Sequence, residues 1–532
     1  MDKWWKNAVG YQIYIRSFCD SNDDGMGDIN GITSKLDYLK GLGVDFIWVC
    51  PFYDSPMDDN GYDIRDYYEV DKIFGTNDDL KALIKQAHKR GIKVLIDLVM
   101  NHTSDEHIWF LKSIKKEDPY TNFYIWRDGK MVDGKLVPPN NWISFFSGSA
   151  WGYNKERGQY FLKIFSEKMP DINYECEEAF RAMEKVIEYF AKLHVDGFRV
   201  DAIAHIGKDL TFADSKFYPN KTYKSFSNLP NAHSYLKRFY KTFSKHSLVT
   251  MGELGGDPSK KDIIKYTTEG ELDVVFSFEH IKVFDENKHK INTNKLYKAL
   301  KYKESISSKG GWSALFWLNH DYPRLISKIR GEKDPKDAET SLATLMYMLK
   351  GTPIVYNGEE IGMTNYNFKS PKDFKDVNAK MIFKNTDNIE KAFENLKESS
   401  RDNSRTCMQW DDSKYAGFST HKPWTYVCDN YKSVNVQSSL ADKNSILNTY
   451  IRLFRVRKEI GEDIKDAKYK FFKKGKVLGY NIKCQNTDYL VIANFGDKAI
   501  PTPKGEVLFS NQTTNNDLSS LEVLVIRTKQ HK

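Results

Sequence analysis

The chain is 532 residues long, well past the roughly 250 to 300 at which one hydrophobic core stops growing, so about three cores or sub-domains are expected. With 40% hydrophobic and 29% charged residues, and no apolar run near the roughly 18 that a bilayer span needs, it reads as a soluble globular protein without a membrane partner. Lys+Arg 80 against Asp+Glu 72 leaves a formal net charge of +8, but acids and bases are interspersed, so no basic tail or stripe points to nucleic acid.

The start, MDKWWKNAVGYQIYIRSF, has neither an apolar stretch nor a small-residue cleavage site, and the six scattered cysteines form no CxxC pair. A cytoplasmic protein with reduced thiols is expected. Short β-branched and aromatic runs then alternate with amphipathic helical stretches as far as about residue 460, the pattern of parallel βα units. In chain order the predicted strands are 9–15, 46–50, 93–99, 197–200, 248–252, 273–278, 314–318 and 353–356. Eight such strands predict an α/β fold, a (β/α)8 TIM barrel. Helices fall between them, for example over 78–90 with Leu80, Leu83, Ile84 and Ala87 at helical spacing, and over 177–193.

After the third strand a long stretch rich in Trp, Asn, Gly, Ser and Pro predicts an inserted sub-domain, and from about Gly461 short strands such as DYLVIANF and LEVLVIRT predict an all-β C-terminal domain. The expected limits are barrel 1–101, insertion 102–173, barrel 174–460 and a C-terminal β-sandwich 461–532.

Chemistry in such a barrel sits at the C-terminal ends of the strands, and here several strands end in acids or their partners. The third gives Asp97, Asn101 and His102; the fourth Arg199, Asp201 and His205; the fifth Glu253; the seventh His320 and Asp321. Asp201, Glu253 and Asp321 therefore converge on one mouth. Such a cluster suits glycosidic bond cleavage, which needs one ionised carboxylate and one protonated carboxyl. Arg199, two residues before Asp201 on the same strand face, is expected to keep Asp201 ionised.

The motifs DLVMNHTS, GFRVDAIAH, MGE and NHD resemble the four signature regions of glycoside hydrolase family 13, the α-amylase family. GVDFIWVCPFYDSPMDDNGYDIRDY, NNWISFFSGSAW, YNGEEIGMTN and RDNSRTCMQWDDSKYAGFS extend the resemblance to the oligo-1,6-glucosidase and α-glucosidase subfamily over nearly the whole chain. It implies Asp201 as nucleophile, Glu253 as general acid/base and Asp321 as transition-state stabiliser. It further implies His102 and His320 as sugar-binding histidines, Tyr62 as a stacking aromatic, and Asp63 with Arg405 as the pair closing the first sugar pocket.

The segment DSNDDGMGD places Asp20, Asn22, Asp24 and Asp28 like the start of an EF-hand loop, without its twelfth-position Glu. Relatives bind Ca2+ in a matching loop, so a structural Ca2+, or Mg2+ in its place, is expected there, with Met26 lending its carbonyl. Ala202, after the nucleophile, stands where α-1,6-acting relatives carry Val and α-1,4-acting ones a smaller residue, and Tyr322 stands where Gln is usual. The expected activity is a retaining, exo-acting α-glucosidase releasing α-glucose from short α-1,4-linked gluco-oligosaccharides such as maltose, by a monomer or weak homo-oligomer. The alternatives are an oligo-1,6-glucosidase acting on isomaltose or panose, a trehalose synthase-like transglycosylase, and a non-catalytic relative. The last should show a membrane span and a broken acid triad, and this sequence has neither.

Overall fold

Strands β1 (Gly10–Ile13), β2 (Phe46–Val49), β3 (Lys93–Val99), β4 (Gly197–Asp201), β5 (Val249–Glu253), β6 (Val274–Phe276), β7 (Ala314–Leu315) and β8 (Thr352–Tyr356) form one parallel sheet in the order β6-β5-β4-β3-β2-β1-β8-β7. A single bridge between Val275 and Ser313 joins the two ends and closes the barrel. This computed structural model describes residues 3–146, 148–512 and 517–530. Ser147 of the NNWISFFSGSAW motif, and residues 1–2, 513–516 and 531–532 of the expected terminal domains, lie outside the described residues.

The strands form where the sequence is uninterruptedly apolar: β2 reads FIWV and every residue is buried, as expected of parallel strands covered on both faces. All eight predicted strands are present. The first, sixth and seventh each lose three residues, and the seventh keeps only Ala314–Leu315 of the predicted 314–318, so the ladder stops before the chain reaches His320 and Asp321. Helix α1 (Asn77–Lys89) opens on a capping box of Thr76 and Asp79 and buries Leu80, Leu83, Ile84 and Ala87. Helix α2 (Glu177–Lys192) buries Phe180, Met183, Val186, Ile187 and Phe190 against the sheet, and α3 (Thr293–Ser307) covers the seam between β6 and β7.

The insertion builds a three-stranded antiparallel sheet from Trp126–Arg127, Gln159–Leu162 and Trp151–Asn154. Its core extends past the expected limit at 173. Phe212 and Phe226, from the stretch after β4, pack on Trp142 and Trp151, and the Trp142 indole donates to the Ala213 carbonyl at 3.1 Å. Two tryptophans on so small a sheet need apolar cover that it does not itself supply. A second excursion leaves the barrel after β8 and carries helices α4 (Val377–Asn385) and α5 (Ile389–Ser399), with a small core of Phe368, Phe374, Ala379 and Leu396. Helix α6 (Ile446–Glu459) then returns to the barrel wall, where Arg457 donates to the carbonyls of Tyr347, Leu349 and Gly351.

The C-terminal domain is a five-stranded antiparallel sheet of β9 (Lys468–Lys474), β10 (Val477–Lys483), β11 (Thr487–Asn494), β12 (Glu506–Ser510) and β13 (Glu522–Gln530), in the order β9-β10-β11-β13-β12. Its two faces follow the period of two: Leu490, Ile492, Leu524 and Ile526 meet Leu518 of a separate two-stranded ribbon, while Val491, Ala493, Val523 and Val525 join the main core. Among the described residues no helix is long and apolar enough to cross a membrane, and all six cysteines are free thiols.

Candidate active site

Strand β4 reads GFRVD, and alternation points Arg199 and Asp201 to the same side. The Arg199 guanidinium is buried and holds three carboxylates from three consecutive strands. Nη1 lies 2.8 Å from Asp97 Oδ1 and 2.6 Å from Asp201 Oδ1, and Nη2 lies 2.8 Å from Glu253 Oε2. The Trp48 indole N–H donates to Asp97 Oδ2 at 2.7 Å, the Tyr62 hydroxyl donates to the same oxygen at 3.3 Å, and the Trp48 ring faces the guanidinium. Beyond Asp201 the chain turns sharply through Ala202, whose φ of 45° and ψ of 30° are left-handed, a conformation that a small side chain tolerates better than a branched one. That turn aims the Ala202 N–H at Glu253 Oε2, 3.4 Å away.

Asp321 is held from the other side. Arg405 Nη2 is 2.9 Å and Arg401 Nη1 3.4 Å from its Oδ1, and both guanidiniums also grip Asp376, at 3.3 and 2.5 Å. Arg401 reaches Asp59 as well, at 2.9 Å. The His320 ring is stacked between Tyr62 and Tyr14, with centroids 5.2 and 6.2 Å away. Its Nδ1 faces the Gln12 side-chain amide at 2.8 Å, which assigns the ring proton to Nε2, 3.4 Å from Asp321 Oδ2.

Burial pushes the Asp201 carboxyl well above the usual carboxylate range, Glu253 and Asp97 push in the same direction, and Arg199 only partly opposes them. The expectation that Arg199 would keep Asp201 ionised changes accordingly, because one guanidinium is shared by three acids. Asp97 itself is pushed up to about 6, by burial first. Burial also raises Asp321, but His320, Arg401, Arg405 and Arg199 together bring it well below the usual range. His102 and His320 are pushed down to about 3 by burial, so both are neutral imidazoles with one N–H each. The buried Nε2 of His102 has no partner, which leaves it available to a sugar hydroxyl.

The other predicted residues fall as follows. Tyr62 lies over the cluster as described. Asp63 is fully buried and accepts the N–H groups of Asp58 and Asp59 at 2.8 and 3.0 Å, so it shapes the loop that carries Asp59. The ion pair beside the pocket is Asp59 with Arg401, and Arg405 is spent on Asp321 and Asp376. Sequence reasoning missed Asp59, Asp376 and Arg401. Arg401 had a signal, standing four positions before Arg405 in RDNSRT, whereas Asp376 lies in a stretch with no motif. Also missed was Lys208, buried and 2.8 Å from Asp171 beneath Asn101.

In the loop after β1, Asp20 Oδ1 accepts the Asn22 N–H, Asn22 the Asp24 N–H and Asp24 the Met26 N–H, while Asp28 caps the following helix turn. These donors are all oxygen, the chemistry Ca2+ prefers. Among the described residues, however, no three His, Cys, Asp or Glu side chains are grouped so as to hold a metal ion.

Asp201 and Glu253 both bond to the Arg199 guanidinium, at 2.6 and 2.8 Å, which draws the two carboxyls of a nucleophile and acid pair toward each other. The comparisons with known proteins agree with that chemistry. The family described as "Alpha amylase, catalytic domain" matches residues 12–466. An oligo-1,6-glucosidase of Halalkalibacterium halodurans is 44% identical over 86% of this chain and 84% of its own length. A glucan 1,6-alpha-glucosidase of Streptococcus pneumoniae is 41% identical over 93% of this chain and 92% of its own. The crystal structure of a Bacillus licheniformis trehalose-6-phosphate hydrolase, 38% identical, superposes with a TM-score of 0.90 over 98% of this chain and 99% of that one.

Proposed function

The chain belongs to the α-amylase family, and from that premise we propose that it is an exo-acting α-glucosidase releasing α-glucose from the non-reducing end of short gluco-oligosaccharides. The observation that carries this reading is the hold of Arg199 on Asp201 and Glu253 at the ends of adjacent strands. In the reactive state Asp201 is the bare carboxylate on Arg199 and Glu253 carries the proton: Asp201 attacks the anomeric carbon while Glu253 protonates the departing glycosidic oxygen, leaving a glucosyl ester on Asp201. Glu253, now a base, takes a proton from the water that cleaves the ester, and the released glucose keeps the α configuration. Asp321, kept ionised by two arginines, accepts hydroxyls beside the reacting carbon. The His102 and His320 N–H groups donate to that same sugar and bind more strongly as positive charge develops on the ring. The Asp59–Arg401 pair and the loop shaped by Asp63 support a closed end to the first sugar site, which confines attack to the chain terminus.

We favour the α-1,6 bond as the preferred linkage, because the relatives at 44% and 41% identity are named for it. The small Ala202 favours the α-1,4 bond and is the ground for the second reading. Hydrolysis of isomaltose, maltose, trehalose, trehalose 6-phosphate and sucrose side by side, with the released anomer followed by NMR, tests both. Isomaltose cleaved fastest with α-glucose first is the expected result; maltose fastest selects the second reading, and β-glucose first overturns the mechanism. Net formation of a new disaccharide from maltose would select the transglycosylase.

Ca2+ in the loop of Asp20, Asn22, Asp24, Asp28 and the Met26 carbonyl belongs to the proposal on its donor chemistry alone. An ion bound only to the folded state stabilises by mass action, so a chelator should lower the melting temperature, and an unchanged one rejects the ion.

A further inference from the structure

The ladder between β5 and β6 ends with Glu253 opposite Phe276, and the Leu254 N–H still donates to the Phe276 carbonyl at 3.2 Å. Beyond it the chain runs through Gly255 and Gly256, pressed against the stretch that follows β4. A Cβ on Gly255 would stand 2.8 Å from His205 Nε2, and one on Gly256, whose φ is 71°, 2.5 Å from Ser227 Cβ. Only glycine fits so close an approach. The turn behind the acid therefore rests on the segment that begins at the nucleophile.

Asn228 joins the two. Its N–H donates to the Ala204 carbonyl at 2.7 Å, and its Nδ2 donates to the carbonyls of Gly255 at 2.9 Å and Gly256 at 3.3 Å. Ala204 lies three residues after Asp201, and Gly255 two after Glu253. The remaining polar atom, Oδ1, accepts the Tyr266 hydroxyl at 3.1 Å. Tyr266 is buried on the helix Lys260–Thr268, and its ring meets that of His233 at 4.4 Å, whose Nδ1 lies 2.6 Å from Oε2 of the buried Glu271. One amide thus gives its N–H groups to the turn after the acid and is itself held from behind. Aspartate cannot donate and leucine can neither donate nor accept, so the position asks for an amide. Its backbone is left-handed, with φ of 55°, a conformation that asparagine adopts more readily than most residues.

Arg199 and the Ala202 N–H already hold Glu253 Oε2, at 2.8 and 3.4 Å. The carboxyl must in addition reach the glycosidic oxygen while Asp201 attacks the anomeric carbon, and a misplacement of about 1 Å can cost on the order of a hundredfold. We infer that Asn228 is a positioning residue for the general acid: by tying the turn after Glu253 to the loop after Asp201, it sets the separation at which protonation and attack coincide. The inference rests on the α-glucosidase reading but not on the linkage, since any leaving sugar departs past the same acid.

The test compares Asn228→Gly, which keeps the left-handed backbone and removes the amide, with Asn228→Asp, which keeps the shape and turns the donor into an acceptor facing two carbonyls. The substrates are the disaccharide that the wild-type protein cleaves fastest and α-glucosyl fluoride, which departs with little protonation, and kcat/KM is read because it reports the first step alone. Each variant should lose at least about tenfold on the disaccharide while staying within about threefold on the fluoride. In a Glu253→Gln background, Asn228→Gly should add less than about twofold on the disaccharide, because no acid remains to be positioned. If neither Asn228 variant folds, Tyr266→Phe, which removes one bond from the amide and leaves its donors in place, should show the same asymmetry at smaller size. Equal losses on both substrates, full disaccharide activity in the variants, or an undiminished loss in the Glu253→Gln background overturns the inference. Failure of the glucosidase reading would appear separately, as wild-type protein inactive on the fluoride.

Discussion

Two arginine–carboxylate clusters lie side by side at the barrel mouth with unequal charge balances. In one, the single guanidinium of Arg199 serves Asp97, Asp201 and Glu253. In the other, two guanidiniums, Arg401 and Arg405, serve Asp59, Asp321 and Asp376. Burial pushes the carboxyls up in both, yet Asp201 and Asp97 end above the usual range and Asp321 well below it. The difference comes from how many cations each acid must share. A carboxyl that meets two guanidiniums keeps its negative charge firmly beside a developing cation, whereas acids that share one guanidinium hold theirs less firmly.

The sharpest break of the first cluster is Asp201→Asn, which removes the nucleophile and should lower turnover by at least about 10^4-fold on every α-glucoside. Full activity in a well-folded Asp201→Asn protein would end the mechanism. Next in size, Glu253→Gln should cost at least about a hundredfold on a disaccharide and much less on α-glucosyl fluoride, which needs little protonation to depart. Equal losses on the two would remove Glu253 from the acid role.

Breaking the second cluster should do less. Arg401→Gln takes away one of the two cations that hold Asp321 down but leaves Arg405 in place. The Asp321 carboxyl should rise, with a loss of about tenfold in kcat/KM at neutral pH from the lost charge-assisted bonds. An unchanged kcat/KM would mean that Asp321 does not depend on Arg401.

The smallest effect concerns stability. Asp97 titrates at about 6 in the fold and near 4 when unfolded, so its contribution is fully present below pH 4 and is lost as pH rises through 6. Asp321 has the opposite sign, since its contribution is present above pH 4 and is lost as pH falls through its lowered folded value. Asp97→Asn should therefore gain on wild type by about 3 kcal/mol between pH 4 and pH 7 in urea unfolding. A difference that is flat with pH would mean that Asp97 carries no retained proton.

The first cluster was legible in the sequence because its members sit at the ends of strands that the apolar runs already mark, and Arg199 and Asp201 share a face by simple alternation. The second was only half legible. Asp321 and Arg405 stand in motifs, but Asp376 lies in the excursion after β8, where no periodicity or spacing points inward. Arg401 meets Asp59 across 342 positions of sequence.

The sequence by itself determined the eight strands, the acids at their ends, the inserted and C-terminal β regions and the family, because these depend on local alternation of apolar and polar residues and on short motifs. Only the tertiary structure decided that Arg199 is shared by three acids, that Asp63 shapes a loop, that residues near Phe212 and Phe226 complete the insertion's core, and that Asn228 ties the turn after Glu253 to the loop after Asp201. The reason is physical. Periodicity tells a side chain which face it takes, whereas its partner, and with it the sign of its pKa shift, is set by which distant segment the folded chain brings against that face.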